Sequence, residues 1–329
     1  RLFSLLPDRP SQGALLASCK SVRCAPSVLS QIVQLTVYSK MLQNSSSSAP
    51  LLCFPLGAQL KKLVIKCTGS GAQTAADYGP LLMETFQPQQ GEMRQKVNIV
   101  LQNVTELTLQ ACRVKGGTSA PALGRLVRSM TKLRVLRISD SARSFWLPFL
   151  GTLPGYGGRD VLMELDVCVT DFNSDTVLED VSHIVNLRIL SLKICQSASS
   201  IQVDPLASLR ALETLHIRWM EHDEDHSHAT WVDLGVGLNL VTAFSGMNQL
   251  RSLTTTYPLT AVEVAALPKS IEDVSFEFID TSTDIDGRCL CHLLRAEEQL
   301  PDLQNLHFDY LNFAWIANMT DAFNFWQHV

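Results

Sequence analysis

The sequence predicts a single α/β solenoid, with a curved parallel β-sheet on the concave face and helices plus irregular segments on the convex face. Three observations predict it. An apolar frame occupying its first, fourth and sixth positions recurs ten times, starting at residues 32, 60, 104, 133, 162, 187, 212, 250, 271 and 303. The mean step is about 30 residues, the size of one supersecondary unit in a stacked array. Between frames lie stretches whose apolar residues follow helical spacing. At 329 residues the chain would ordinarily suggest two globular domains, but an array grows in one dimension. It therefore reads as one domain of about 9–11 irregular repeats: 1–28 an N-terminal cap or truncated preceding repeat, 29–315 the repeats, 316–329 a C-terminal cap.

The cleanest frame is Val104, Leu107, Leu109, Cys112, Val114. Before it come Ile32/Leu35/Val37 and Leu60/Leu63/Ile65. After it come Leu133/Leu136/Ile138, Leu162/Leu165/Val167, Leu187/Leu190/Leu192 and Leu212/Leu215/Ile217. The array closes with Leu250/Leu253/Thr255, Ile271/Val274/Phe276 and Leu303/Leu306/Phe308; the threonine marks the first of these as a damaged copy. Alternation along a strand sends the fourth and sixth residues to one face and those between them to the other. One such strand cannot bury its apolar face alone, so the copies stack side by side. Parallel neighbours need a crossover of about a dozen residues or more, usually helical. Pro121 to Met130, with Leu123, Leu126 and Val127, supplies one. Ser174 and Asp175 are placed to cap a helix running to Ile184, with Val177, Leu178, Val181 and Ile184 on one side. Val232 to Phe244 and Cys289 to Glu298 supply two more. The 21-residue step from 250 to 271 is too short for a full helix, and Leu267-Pro268 points to an extended segment there. The steps of 44 and 38 residues, from 60 and from 212, carry insertions.

A hydrophobic content of 46% suffices for a long core, and a net charge of −5 with no basic stripe gives no reason to expect nucleic acid. Lys61-Lys62 and the scattered arginines read as ordinary solvated positions. No apolar run reaches the 18 residues a membrane helix needs, and residues 1–10 are too short in apolar stretch for a signal peptide. The chain starts at Arg1 without methionine and reads as a fragment or processed product. Nine cysteines with no dense framework read as reduced thiols, which favours an intracellular compartment, cytoplasmic or nuclear. Asn103 opens a glycosylation sequon directly before a strand, where a glycan would fit poorly.

Chemistry-bearing motifs are sparse. The glycines form neither a dinucleotide nor a phosphate-binding loop, no nucleophile elbow occurs, and no cofactor is expected. Residues 221–228 pack His222, His226 and His228 among four acids, a composition able to hold zinc or copper but equally that of a solvated loop. A metal protein or enzyme centred there is one alternative reading; an extracellular receptor ectodomain is another. The stronger signal lies on the strands. Position eight of the seventh to tenth copies reads Trp219, Tyr257, Phe278, Tyr310, in a chain only 7% aromatic. Beside this row fall His216, Arg218, Glu277, His307 and Asp309. Enclosed aromatics and arginine dominate interface energetics, so these nine residues form a candidate protein-binding site. Strict alternation would instead turn position eight inward, leaving the rings as packing.

The frame L-x-x-L-x-L-x-x-C-x-L, fitted by residues 104–114 and with Cys195 again at the ninth position, resembles the cysteine-containing class of leucine-rich repeats. That class is similar to ribonuclease-inhibitor-like domains and typical of F-box proteins. The resemblance implies a non-catalytic scaffold binding a protein partner on its concave face. It would act as an F-box-type substrate receptor for a ubiquitin ligase or as a structural subunit of a larger assembly. In the family a separate N-terminal F-box binds the ligase adaptor; Leu2, Leu5, Leu6, Leu15 and Leu16 do not make a complete one, so such a segment would precede residue 1.

Overall fold

The computed structural model describes residues 34–38, 60–66, 99–110, 124, 126–139, 160–169, 174–195, 201–220, 240–256, 259–277 and 300–308. Within them run ten strands: β1 (Gln34–Tyr38), β2 (Lys62–Lys66), β3 (Glu106–Gln110), β4 (Val135–Ser139), β5 (Glu164–Val169), β6 (Ile189–Cys195), β7 (Thr214–Met220), β8 (Ser252–Thr255), β9 (Asp273–Phe276) and β10 (Asn305–Phe308). They form one all-parallel sheet whose spatial order is the chain order, β1 to β10. Each strand coincides with one of the ten apolar frames, and the register aligns them. The fourth-position residues Leu35, Leu63, Leu107, Leu136, Leu165, Leu190, Leu215, Leu253, Val274 and Leu306 pair neighbour to neighbour across the sheet.

Register and burial have the same cause. From Leu60 to Ile271, every first-position residue of a frame is buried, and so is every fourth-position residue from Leu35 to Val274. The sixth position is buried from Ile65 to Phe276, including Thr255 in the damaged copy. A one-residue slip of any strand would carry this set to the opposite face, so burial pins the register.

Two backbone devices repeat with the frame. The carbonyl of position two accepts the N–H groups of positions two and three of the next strand, as Lys61 does from Thr105 and Glu106. The pattern recurs at every step from β2 to β10. Before the strands, the position-one N–H donates to the carbonyl three residues earlier, closing a turn on Leu101, Met130, Ile184, Leu209, Met247, Pro268 or Leu300. All of these except Pro268 are buried, which extends the repeating core by one further position.

The crossovers pack on the buried face. Helix α1 (Ser174–Ser182) buries Val177, Leu178 and Val181, with Ile184 just beyond it, as the spacing predicts. A 3-10 helix (Asp204–Ser208) with Pro205 in its first turn follows. Then come α2 (Val241–Gly246) and α3 (Ala261–Ala266). Residues 126–129 are helical and bury Leu126 and Val127. These segments share one apolar cluster with the strands. Two expectations are refined. The helix expected over 232–244 occupies Val241–Gly246 within the described residues, ending two residues later. The 250–271 step, expected to be too short for a full helix and extended at Leu267-Pro268, holds the six-residue α3, whose C-cap Leu267 before Pro268 does take extended backbone. A strong N-cap on Thr260 explains how so short a helix forms. The expected helix over 289–298 lies outside the described residues.

Where Gly246 ends α2, the backbone presses on the 3-10 helix. A Cβ there would stand 2.0 Å from the Ala207 carbonyl oxygen, so glycine is the residue that lets the two segments touch. Ser208 Oγ donates to Ser182 O at 2.8 Å, tying the 3-10 helix to α1.

Candidate functional site

Positions three, five and seven of the frames lie on the face opposite the apolar core. Pairing in register brings their charges together, although they are 27 to 59 residues apart in sequence. Lys62 Nζ lies 3.2 Å from Glu106 Oε2, and Arg137 Nη1 lies 3.9 Å from the same oxygen. Arg137 also donates from Nε and Nη2 to Glu164 Oε1, both at 2.7 Å. The result is a four-residue ladder of alternating sign across β2 to β5. On the next strands Lys193 Nζ donates to Asp166 Oδ2 at 3.0 Å, both side chains less than a fifth exposed. Lys62 and Arg137 are therefore not simply solvated, as the sequence reading had them. Opposite charges at the same face in successive frames were the available signal. A second, more exposed set at position two joins Arg188 to Glu213 at 3.1 Å and Arg251 to Glu272 at 3.2 Å.

Of the nine residues read as a binding site, the structure describes four side chains. Arg218, on β7, and Glu277, just after β9, pair with each other through two contacts of 3.0 Å, Nη2 to Oε1 and Nε to Oε2. The pair spans β8, where the short side chain of Thr256 occupies position seven and is buried. His216 stands at position five of β7 between Ser191 and Thr254. His307 is exposed on β10 and pairs in register with Ser275. Trp219 belongs to β7 by its backbone, in register with Ile194 of β6. Ile194 holds position eight of its own frame and is 1% exposed, so at β6 this position faces the core. Tyr257, Phe278, Tyr310 and Asp309 lie outside the described residues, as does the 221–228 cluster.

His216 is electrostatically unusual. Burial, reinforced by Arg218, lowers its proton affinity below the ordinary range, while Glu277, Asp166 and Glu164 oppose the shift. Its Nδ1 is enclosed with no hydrogen-bond partner among the described residues, and Asp166 Oδ1 is in the same position.

Glu263 escaped the sequence reading. It is 2% exposed and charged by type, and its carboxylate closes a capping box. Oε2 accepts from Thr260 N and Thr260 Oγ1 at 2.8 Å each, and Oε1 accepts from Leu240 N, the N-cap of α2, at 3.2 Å. One carboxylate thus satisfies the starts of two helices. The signal was Thr260-x-x-Glu263. Asn103, the residue of the sequon, spends its side chain internally, donating to Ile99 O and accepting from Lys132 Nζ at 3.0 Å each.

Among the described residues no group of three or more His, Cys, Asp or Glu is arranged to hold a metal, and no helix is long and apolar enough to cross a membrane. Compared with known proteins, the chain matches no family model and no curated protein.

Proposed function

We propose that this chain is a leucine-rich-repeat scaffold that recognises a protein partner on the face formed by frame positions three, five and seven. The observation that carries this reading is the in-register, chain-ordered parallel sheet, which turns scattered polar residues into one continuous surface. At about 4.8 Å per strand and 3.3 Å per residue, ten strands averaging about five residues present roughly 800 Å2, close to the ~800 Å2 per partner of a standard interface. The charges on this face are largely paired with one another, so the surface has alternating sign instead of a single-sign field. Such a pattern suits a mixed-charge protein surface better than a phosphate backbone.

The frame and its cysteines extend the proposal to the F-box-type substrate receptors or to a structural subunit of a larger assembly, acting inside the cell without catalysis. The test is affinity purification of the full-length protein from its native source beside Thr108→Arg and Ser275→Arg variants. Each variant puts a long cation on the face without removing an ion pair. Partners should be retained by the wild type and lost from the variants, with circular dichroism unchanged. Recovery of a ubiquitin-ligase adaptor supports the receptor reading, and a large stable particle supports the assembly reading. Partners recovered equally by all three proteins would sink the face as the binding surface.

A further inference from the structure

Asp166, Ser191 and His216 occupy position five of β5, β6 and β7 and are paired in register, Asp166 to Ser191 and Ser191 to His216. The two outer residues stand two strand spacings apart, about 9.6 Å between backbones. Between them is only a hydroxymethyl side chain. On the same face Arg218 and Glu277 close the equivalent two-strand gap over Thr256. What distinguishes the Asp166 and His216 pair is that each keeps one enclosed atom, Oδ1 and Nδ1, with no hydrogen-bond partner among the described residues. Among those residues Asp166 is held through Oδ2, by Lys193.

We propose that the recognition face contains an acid-triggered clasp, in which protonated His216 donates from Nδ1 to Asp166 Oδ1 across Ser191. Neutral His216 with its proton on Nε2 offers a lone pair at Nδ1, which a carboxylate oxygen cannot satisfy; the neutral tautomer with its proton on Nδ1 can donate, but without the ionic attraction that protonation adds. Adding one proton converts Nδ1 to a donor and makes the attraction a charge-assisted one. The charged groups that face His216 are Asp166 and Glu164 on β5, Lys193 on β6, Arg218 on its own strand and Glu277 beyond β9; β8 presents Thr254 and Thr256. Glu277 opposes the depression of His216 more than Asp166 does, and both its oxygens already accept from Arg218. Arg218 and burial set the direction of the threshold, so the clasp closes only below the ordinary histidine range. Its consequence is a face that stiffens across β5 to β7 in acid, whatever the partner proves to be.

The test is a titration of the full chain by NMR, following the His216 ring and the Asp166 carboxyl carbon between neutral and acid pH. His216 should titrate below 6.5, and the Asp166 carbon should inflect at the same midpoint. Asp166→Asn should lower that midpoint by about one unit or more, the effect of removing an opposite charge at close range. In a Ser191→Leu background, where the path is blocked, the same substitution should lower it far less. An Asp166 carbon insensitive to the His216 titration in the wild-type chain overturns the clasp, even if every variant fails to fold. A midpoint unmoved by Asp166→Asn overturns it as well.

Discussion

Gly246 illustrates how a single position is decided by its neighbours. Gly246→Ala would drive a methyl group into the Ala207 backbone, and backbone cannot swing aside as a side chain can. Overpacking of this kind costs about 1–3 kcal/mol, to be read from urea unfolding. Titrating groups give two expectations of opposite sign. The folded-state value of His216 is depressed, so between it and 6.5 the unfolded chain binds more protons. Its contribution is therefore fully present above pH 6.5 and lost as pH falls toward the folded value; His216→Gln should flatten that part of the stability curve. Asp180 on α1 behaves in reverse. Burial raises its proton affinity, His183 opposes and Glu179 adds, and its Oδ2 has no hydrogen-bond partner among the described residues. Asp180→Asn should stabilise the protein at neutral pH, and the gain should vanish once acid protonates the wild-type carboxyl. An unchanged or lower midpoint at pH 7 would show that Asp180 is satisfied in solution. Little of this was legible in the sequence. His216 was singled out for its place in the strand frame, but its orphaned Nδ1 depends on what lies on β5, β6 and β8. Glu263 had a local signature, yet nothing local says that Leu240, 23 residues away, also needs that carboxylate.

At the scale of elements, strands were far more legible than the turns and crossovers. The strands from β2 to β9 repeat the same apolar spacing because each meets the same environment, two parallel neighbours and a packed back. The turns preceding them vary in residue type, from Leu101 and Met130 to Pro268, since the shared feature is a backbone hydrogen bond that any residue can make. Six of the seven residues at that position are nonetheless apolar and buried, so a periodic signal three residues before each frame was present in the sequence and was missed. Helix α3 was hidden for a different reason: six residues are too few for a helical period, and its stability rests on the cap. Removing that cap with Glu263→Ala leaves the Leu240 and Thr260 N–H groups without their acceptor. The loss should be about 1–3 kcal/mol, and hydrogen exchange should quicken in both α2 and α3. Exchange quickening in α3 alone would contradict the shared-carboxylate account. The ladder from Lys62 to Glu164 is half-exposed, so double-mutant cycles on Arg137 and Glu164 should give less than about 1 kcal/mol, falling with salt. Its part is to fix what the face presents. By contrast, Leu190→Ala in the fully buried fourth position should cost about 2–5 kcal/mol.

At the scale of the molecule, the sequence pattern and the structure agree, among the described residues, on ten parallel strands in one sheet with spatial order equal to chain order. The frame predicted this because parallel in-register stacking is what lets every copy bury the same residues. What the polar face presents was less legible, since charge pairing across strands depends on register and cannot be read from one copy alone. The central claim, on which the proposed recognition face depends, is the ordered stack. Spin labels placed in pairs at Thr108, Ser191 and Ser275, position five of β3, β6 and β9, test it by pulsed electron resonance. Backbone separations should be on the order of 14 Å for β3 to β6 and again for β6 to β9, and up to roughly 29 Å for β3 to β9. A β3 to β9 distance no longer than either shorter step would contradict the chain-ordered sheet and the recognition surface proposed on it.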